Sequence, residues 1–122
     1  MESILISIKK LLGIVEEDKQ FDTDIIIHIN TVLMVLTQIG VGPSEGFAIM
    51  DEYSTWENFI GDKPYLNSVK SYMYLRVKTL FDPPLSSAAM DSMKRLADEF
   101  EWRLQVAVEN HESSEKEDDL IE

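Results

Sequence analysis

PYLNSVKSYMYLRVKTLFDPPLSSAAMDSMKRLADEFEWRLQVAV, residues 64–108, is the stretch that decides the fold. Leu66, Val69, Met73, Val77 and Leu80 recur at steps of three and four, the spacing that lines one face of a helix. Lys70, Arg76 and Lys78 fall on the other side. Pro83 lacks an amide hydrogen and drives Asp82 out of the helical region, and Pro84 repeats the restriction, so this helix must stop at Phe81-Asp82-Pro83-Pro84. The chain then restarts. Ser86 suits an N-cap, which places Leu85 and Met90 where a hydrophobic staple could form. Met93, Ala97, Phe100, Leu104 and Val108 continue a second apolar stripe. The spacing predicts two helices of roughly 18 to 22 residues, folded into an antiparallel hairpin in which each arm buries the other's stripe.

Upstream, Ile4, Leu5, Ile8, Leu11 and Leu12 share a face, Lys9 and Lys10 lie near the negative end of the helix dipole, and Gly13 follows as a C′ residue, so residues 3–12 read as a short first helix. Phe21-Asp22-Thr23 opens a second, with Asp22 as N-cap and Phe21 and Ile26 as staple. Its stripe of Ile25, Ile26, Ile29, Val32, Leu33, Leu36 and Ile39 is widened by Ile27 and Val35 beyond what a surface helix needs, which predicts a central helix. Gly40-Val41-Gly42-Pro43 ends it. Alternation around Phe47 and Ile49 suggests a short extended segment, and Ser54-Thr55-Trp56-Glu57 has the form of a capping box for one helical turn closed by Gly61. The expectation is an all-α fold: a small bundle of four main helices plus one short turn, with a long C-terminal helical hairpin. It divides into a helical domain over 1–108 and an acidic tail over 109–122, expected to be disordered.

Of 122 residues, 23 are acidic and 11 basic, a formal charge of −12. The tail holds seven of the acids and one lysine, so tail and remainder each carry −6. Such a surface does not grip nucleic acid phosphates, whose binding needs lysines and arginines to displace counterions. The absence of cysteine excludes disulfides, thiolate zinc and thiol catalysis. Met1-Glu2-Ser3 lacks the basic start of a secretion signal, and no apolar run is long enough to cross a bilayer, so a soluble, intracellular product is expected. An interfacial membrane reading of the first helix yields to core packing.

Chemistry is sparse. His28 and His111 are far apart and belong to no metal or catalytic spacing, and no phosphate-cradling loop or nucleophile elbow occurs. The carboxylates of Asp98, Glu99 and Glu101 read as a solvated helix face, and Glu117-Asp118-Asp119 lacks the turn of a calcium loop. No enzyme, metal or cofactor is indicated. The aromatic residues stand out: Trp56, Tyr74 and Trp102 lie off the main stripes. Either they fill further sides of the core, or they form a partner interface with Arg76 and Arg103 as charged companions.

Several segments together carry a resemblance. They are Ile8 to Ile14, Asp24-Ile25 with Ile29-Asn30, Gln38 to Pro43, Thr55-Trp56, Val69 to Tyr72 with Tyr74, Phe81-Asp82-Pro83-Pro84, and Glu101-Trp102-Arg103-Leu104. With these segments the chain resembles, over roughly residues 3–108, the small head-tail connector proteins of long-tailed bacteriophages and prophages, also called adaptor or head-completion proteins. The resemblance implies a helical subunit that joins copies of itself into a ring of twelve beneath the capsid portal. The ring would extend the DNA channel, let DNA pass without sequence-specific binding, and offer a platform to a downstream connector or tail component. It places the protein in the virion neck, after assembly in the host cytoplasm. A different class fits the charge as well: a small acidic monomeric binding module, or regulator, that docks on a basic partner surface.

Overall fold

Five helices follow one another along the chain: α1 (Ile4–Leu11), α2 (Asp22–Gln38), α3 (Trp56–Ile60), α4 (Leu66–Phe81) and α5 (Ser87–Ile121). The computed structural model describes residues 2–121 and the side chains of residues 2–111. Four main helices and one short turn make the chain all-α, as the periodicity predicts, and no strand forms among the described residues. At 35 residues α5 is much longer than its stripe suggests, and it runs on through the acidic segment. Beyond His111 its side chains, and with them any contacts of the acidic tail, lie outside the described residues.

The helix ends follow from local chemistry. Ser3 caps α1, its Oγ accepting from the Ile6 amide at 3.2 Å. At the other end Gly13, at φ 82°, lets its own amide reach the Lys10 carbonyl and the Ile14 amide reach that of Lys9. That pair of bonds is a Schellman motif. Gly40, at φ 94°, repeats it at the end of α2, where the Val41 amide donates to Leu36 at 2.8 Å and Val41 turns into the core.

Asp22 departs from its expected role. It is the first helical residue of α2, makes no cap, and instead sets its carboxylate 2.8 Å from the Lys9 ammonium. Lys9, placed near the negative end of the α1 dipole, is buried, and its Nζ also donates to the Glu16 and Asp18 carbonyls. One lysine thus gathers the α1–α2 connection around itself.

The extended segment expected near Phe47 and Ile49 is not a strand. The alternation is real, with Ile49 buried and Met50 exposed, but the partner is a single side chain. The Asn30 amide donates to the Ile49 carbonyl at 3.0 Å and accepts from the Ile49 amide at 2.8 Å, taking the place of a neighbouring strand. The capping box also lies one residue later than expected. Thr55 and Asn58 exchange side chain to backbone bonds, and Ser54 instead gives its carbonyl to the Ile4 amide.

In the hairpin, Val69, Met73 and Val77 of α4 and Ala97, Leu104 and Val108 of α5 are buried as expected. Tyr72 and Leu75 join them, because α4 packs against α1, α2 and α5 and is covered on more than one side. The hub of the bundle is therefore α4, not α2. Leu80, expected in the stripe, is half exposed, and Leu85 stands fully in solvent, so the Leu85–Met90 staple is not made. The Ser86 cap is present: its Oγ accepts from the Ala89 amide at 3.3 Å.

Candidate functional site

The five residues singled out as interface candidates do not share one surface. Trp56 is only 2% exposed. Its indole Nε1 donates to Ser7 Oγ at 2.8 Å, and Lys70 lies 5.9 Å over its ring. This corrects its assignment to a partner surface: Trp56 seals the junction between α1 and α3 inside the monomer. Tyr74 is half-buried on one flank of α4, whereas Arg76 is on the other. Trp102, 63% exposed, stands on the side of α5 away from α4. Arg103 is exposed and forks onto Glu99 of its own helix, with Nη2 to Oε1 at 2.7 Å.

Arg76 has structural work to do. Its guanidinium contacts the Tyr72 hydroxyl at 3.3 Å and Asp98 at 2.7 Å, with Glu101 3.6 Å away, while Tyr72 donates to Glu101 at 2.6 Å. The four side chains tie α4 to α5 along one flank. Burial and the bond to Glu101 push the Tyr72 hydroxyl up to about 12. Burial opposes the charge on Arg76, but its bonds to Tyr72 and Asp98 outweigh that and hold it more firmly protonated.

Two apolar features remain at the surface. The first is a groove of about 880 Å³ over α4, between α1 and α5. Its walls include Ile6 and Leu11 from α1, Tyr74 and Leu75 from α4, and Leu96 and Phe100 from α5. Lys10, Lys70 and Glu2 stand among its polar lining, and the last two form an ion pair of 2.8 Å. The groove exists because α1 and α5 both pack on α4 without filling the space between them.

The second is a ridge on α2. Ile27, Thr31, Met34 and Gln38 recur at steps of four, three and four and are all exposed, opposite the buried Ile29, Leu33 and Leu36. Ile27 and Met34 are each 56% exposed. Ile27, which widens the α2 stripe and reads in the sequence as a sign of burial, was the signal for this ridge. For the groove the signal was Leu96, an apolar residue one step off the α5 stripe.

Such surfaces suit apolar partner surfaces. Among the described residues no three His, Asp or Glu side chains come together as a metal site would require, and no helix is long and apolar enough to cross a membrane. The model of the phage connector protein family matches residues 4–111, from the first residue of α1 to the last described side chain of α5. The chain belongs to that family. No match was found among curated proteins or among solved structures. Membership assigns the protein to the structural components of a bacteriophage particle that connect one part to another. The matched span takes in every helix that builds the groove and the ridge.

Proposed function

We propose that this phage connector is a non-enzymatic ring subunit of the virion neck, docked beneath the capsid portal, extending the DNA channel and presenting a platform to the next connector or tail component. The observation that supports this reading most directly is the pair of unlike apolar surfaces, a concave groove lined by α1, α4 and α5 and a convex ridge on α2. A single self-complementary patch would give a closed dimer. Two unlike patches on different sides give a head-to-tail contact, which closes into a ring when each interface turns the next copy by a fixed angle. Twelve copies is the number the family resemblance implies.

The charge suits the role. A channel wall that must let DNA slide should offer no basic lining to its phosphates, and a formal charge of −12 meets that condition. The unit that assembles is the helical domain over 1–108, with the acidic segment over 109–122 following it. Assembly takes place in the host cytoplasm before the neck is complete. Trp102, exposed on the outer side of α5, and Arg103 beside it are available for the portal or the downstream component, and Tyr74 for the neighbouring copy.

Native mass spectrometry of the protein, alone and with its portal, tests the reading. A closed ring of this chain on the portal, or in solution at high concentration, is expected. A chain that stays monomeric in both, and binds a basic non-capsid protein one to one, would overturn it in favour of an acidic binding module.

A further inference from the structure

We infer that the occupant of the groove is the α2 ridge of the next copy, so that Ile27 and Met34 of one subunit are the side chains buried between α1 and α5 of its neighbour. The inference rests on the ring reading and supplies its interface. Three observations carry it.

The shapes correspond. The groove is an open trough between two helices with a third as its floor, the form that accepts one face of a further helix through anchors spaced along it. Ile27 and Met34 lie seven residues apart on the outer face of α2, two turns of one helix, which puts them about 10 Å apart at 1.5 Å per residue. No residue of α2 lines the groove, so a subunit can offer its ridge to one neighbour while its groove receives the ridge of another.

The burial is incomplete without a partner. Ile27, Met34, Leu11 and Leu96 are between 44% and 56% exposed, and they lie on these two surfaces. Leaving four such side chains in water forgoes a favourable transfer of apolar area, and seating the ridge in the groove recovers it.

The charges correspond as well. Asp24 is exposed three residues before Ile27, and Lys10 is exposed among the groove lining. Among the described residues neither takes part in an ion pair, whereas Glu2 and Lys70 beside Lys10 neutralise each other. An unpaired acid by the ridge and an unpaired base by the groove fix one orientation of the helix along the trough.

The test uses two full-length variants, a ridge-blocked Ile27→Asp/Met34→Asp and a groove-blocked Leu11→Asp/Leu96→Asp. Circular dichroism and thermal melting confirm that each folds like the parent. Native mass spectrometry with the portal then reads assembly. Each variant alone should need at least about tenfold more protein than the parent to assemble, since a carboxylate buried against apolar wall opposes docking. Mixed in equal amounts, the two should form a one-to-one dimer through the intact ridge of one and the intact groove of the other, and go no further. Lys10→Glu and Asp24→Lys should each weaken assembly, and the two exchanges together should restore it. If the parent forms a ring and both blocked variants form it equally well, the ridge-in-groove contact is overturned while the ring stands. A groove-blocked variant that still forms rings but loses the portal would assign the groove to the portal, and so would also overturn it. A parent that never self-associates overturns the inference together with the ring reading.

Discussion

At the scale of single residues, Lys9 has the most exacting surroundings. It is 1% exposed, and its ammonium is met by two carbonyls and by Asp22, whose Oδ1 is buried with no other partner. Removing one member of a buried pair leaves the other charge uncompensated, so Lys9→Met should cost about 3 kcal/mol, the low end of that class because Asp22 keeps some contact with water. Urea titration measures it. The double variant Lys9→Met/Asp22→Asn should lose less than Lys9→Met alone, because it buries no lone charge.

Tyr72 makes a prediction in pH. Its hydroxyl is held neutral up to about 12, against roughly 10 in an unfolded chain. Because the folded value is the higher one, the stability that Tyr72 contributes is fully present below about pH 10 and is lost as pH rises toward 12. Ultraviolet titration should show a tyrosine step near pH 12, and Tyr72→Phe should remove that late step. A titration with no step near pH 12 would mean that the bond to Glu101 is open in solution.

At the scale of elements, the proline break between α4 and α5 does its work through backbone chemistry alone. Asp82 leaves the helical region, Lys78 reaches its carboxylate at 2.7 Å, and Ser86 restarts the chain. Leu85 contributes nothing to this turn, being wholly exposed, so Leu85→Ser should change stability by less than about 0.5 kcal/mol. A loss of 1 kcal/mol or more in thermal melting would mean that a staple forms after all. The α2 terminus behaves differently. Gly42 has φ 85°, and a Cβ there would run into the Phe59 ring. Gly42→Ala should cost at least about 2 kcal/mol, combining overpacking with a backbone that side chains resist, and differential scanning calorimetry would show the drop.

At the scale of the whole molecule, the bundle is built outward from α4, which packs against α1, α2 and α5. That arrangement separates the two tryptophans. Trp56 is sealed and Trp102 is open, so iodide should quench one emission component and spare the other, and Trp102→Phe should leave only the protected one. Equal quenching of both would contradict the packing of α3 against α1.

Sequence by itself determined the helices, their order and most of their ends, because these depend on periodicity, glycine and proline, which act within a few residues of where they stand. It also showed that the chain has no cysteine and no phosphate-cradling loop or nucleophile elbow. The tertiary structure decided which faces are covered. A stripe of apolar residues does not say how many neighbours it has: Ile27, which widens the α2 stripe and reads as extra burial, is 56% exposed, while Tyr72 and Leu75, off the α4 stripe, are core. Trp56 went inside and Trp102 stayed out for the same reason, since an aromatic ring off the main stripe is buried only if another element arrives to cover it. The groove belongs wholly to this second kind of information, being the space that three helices distant in sequence leave between them.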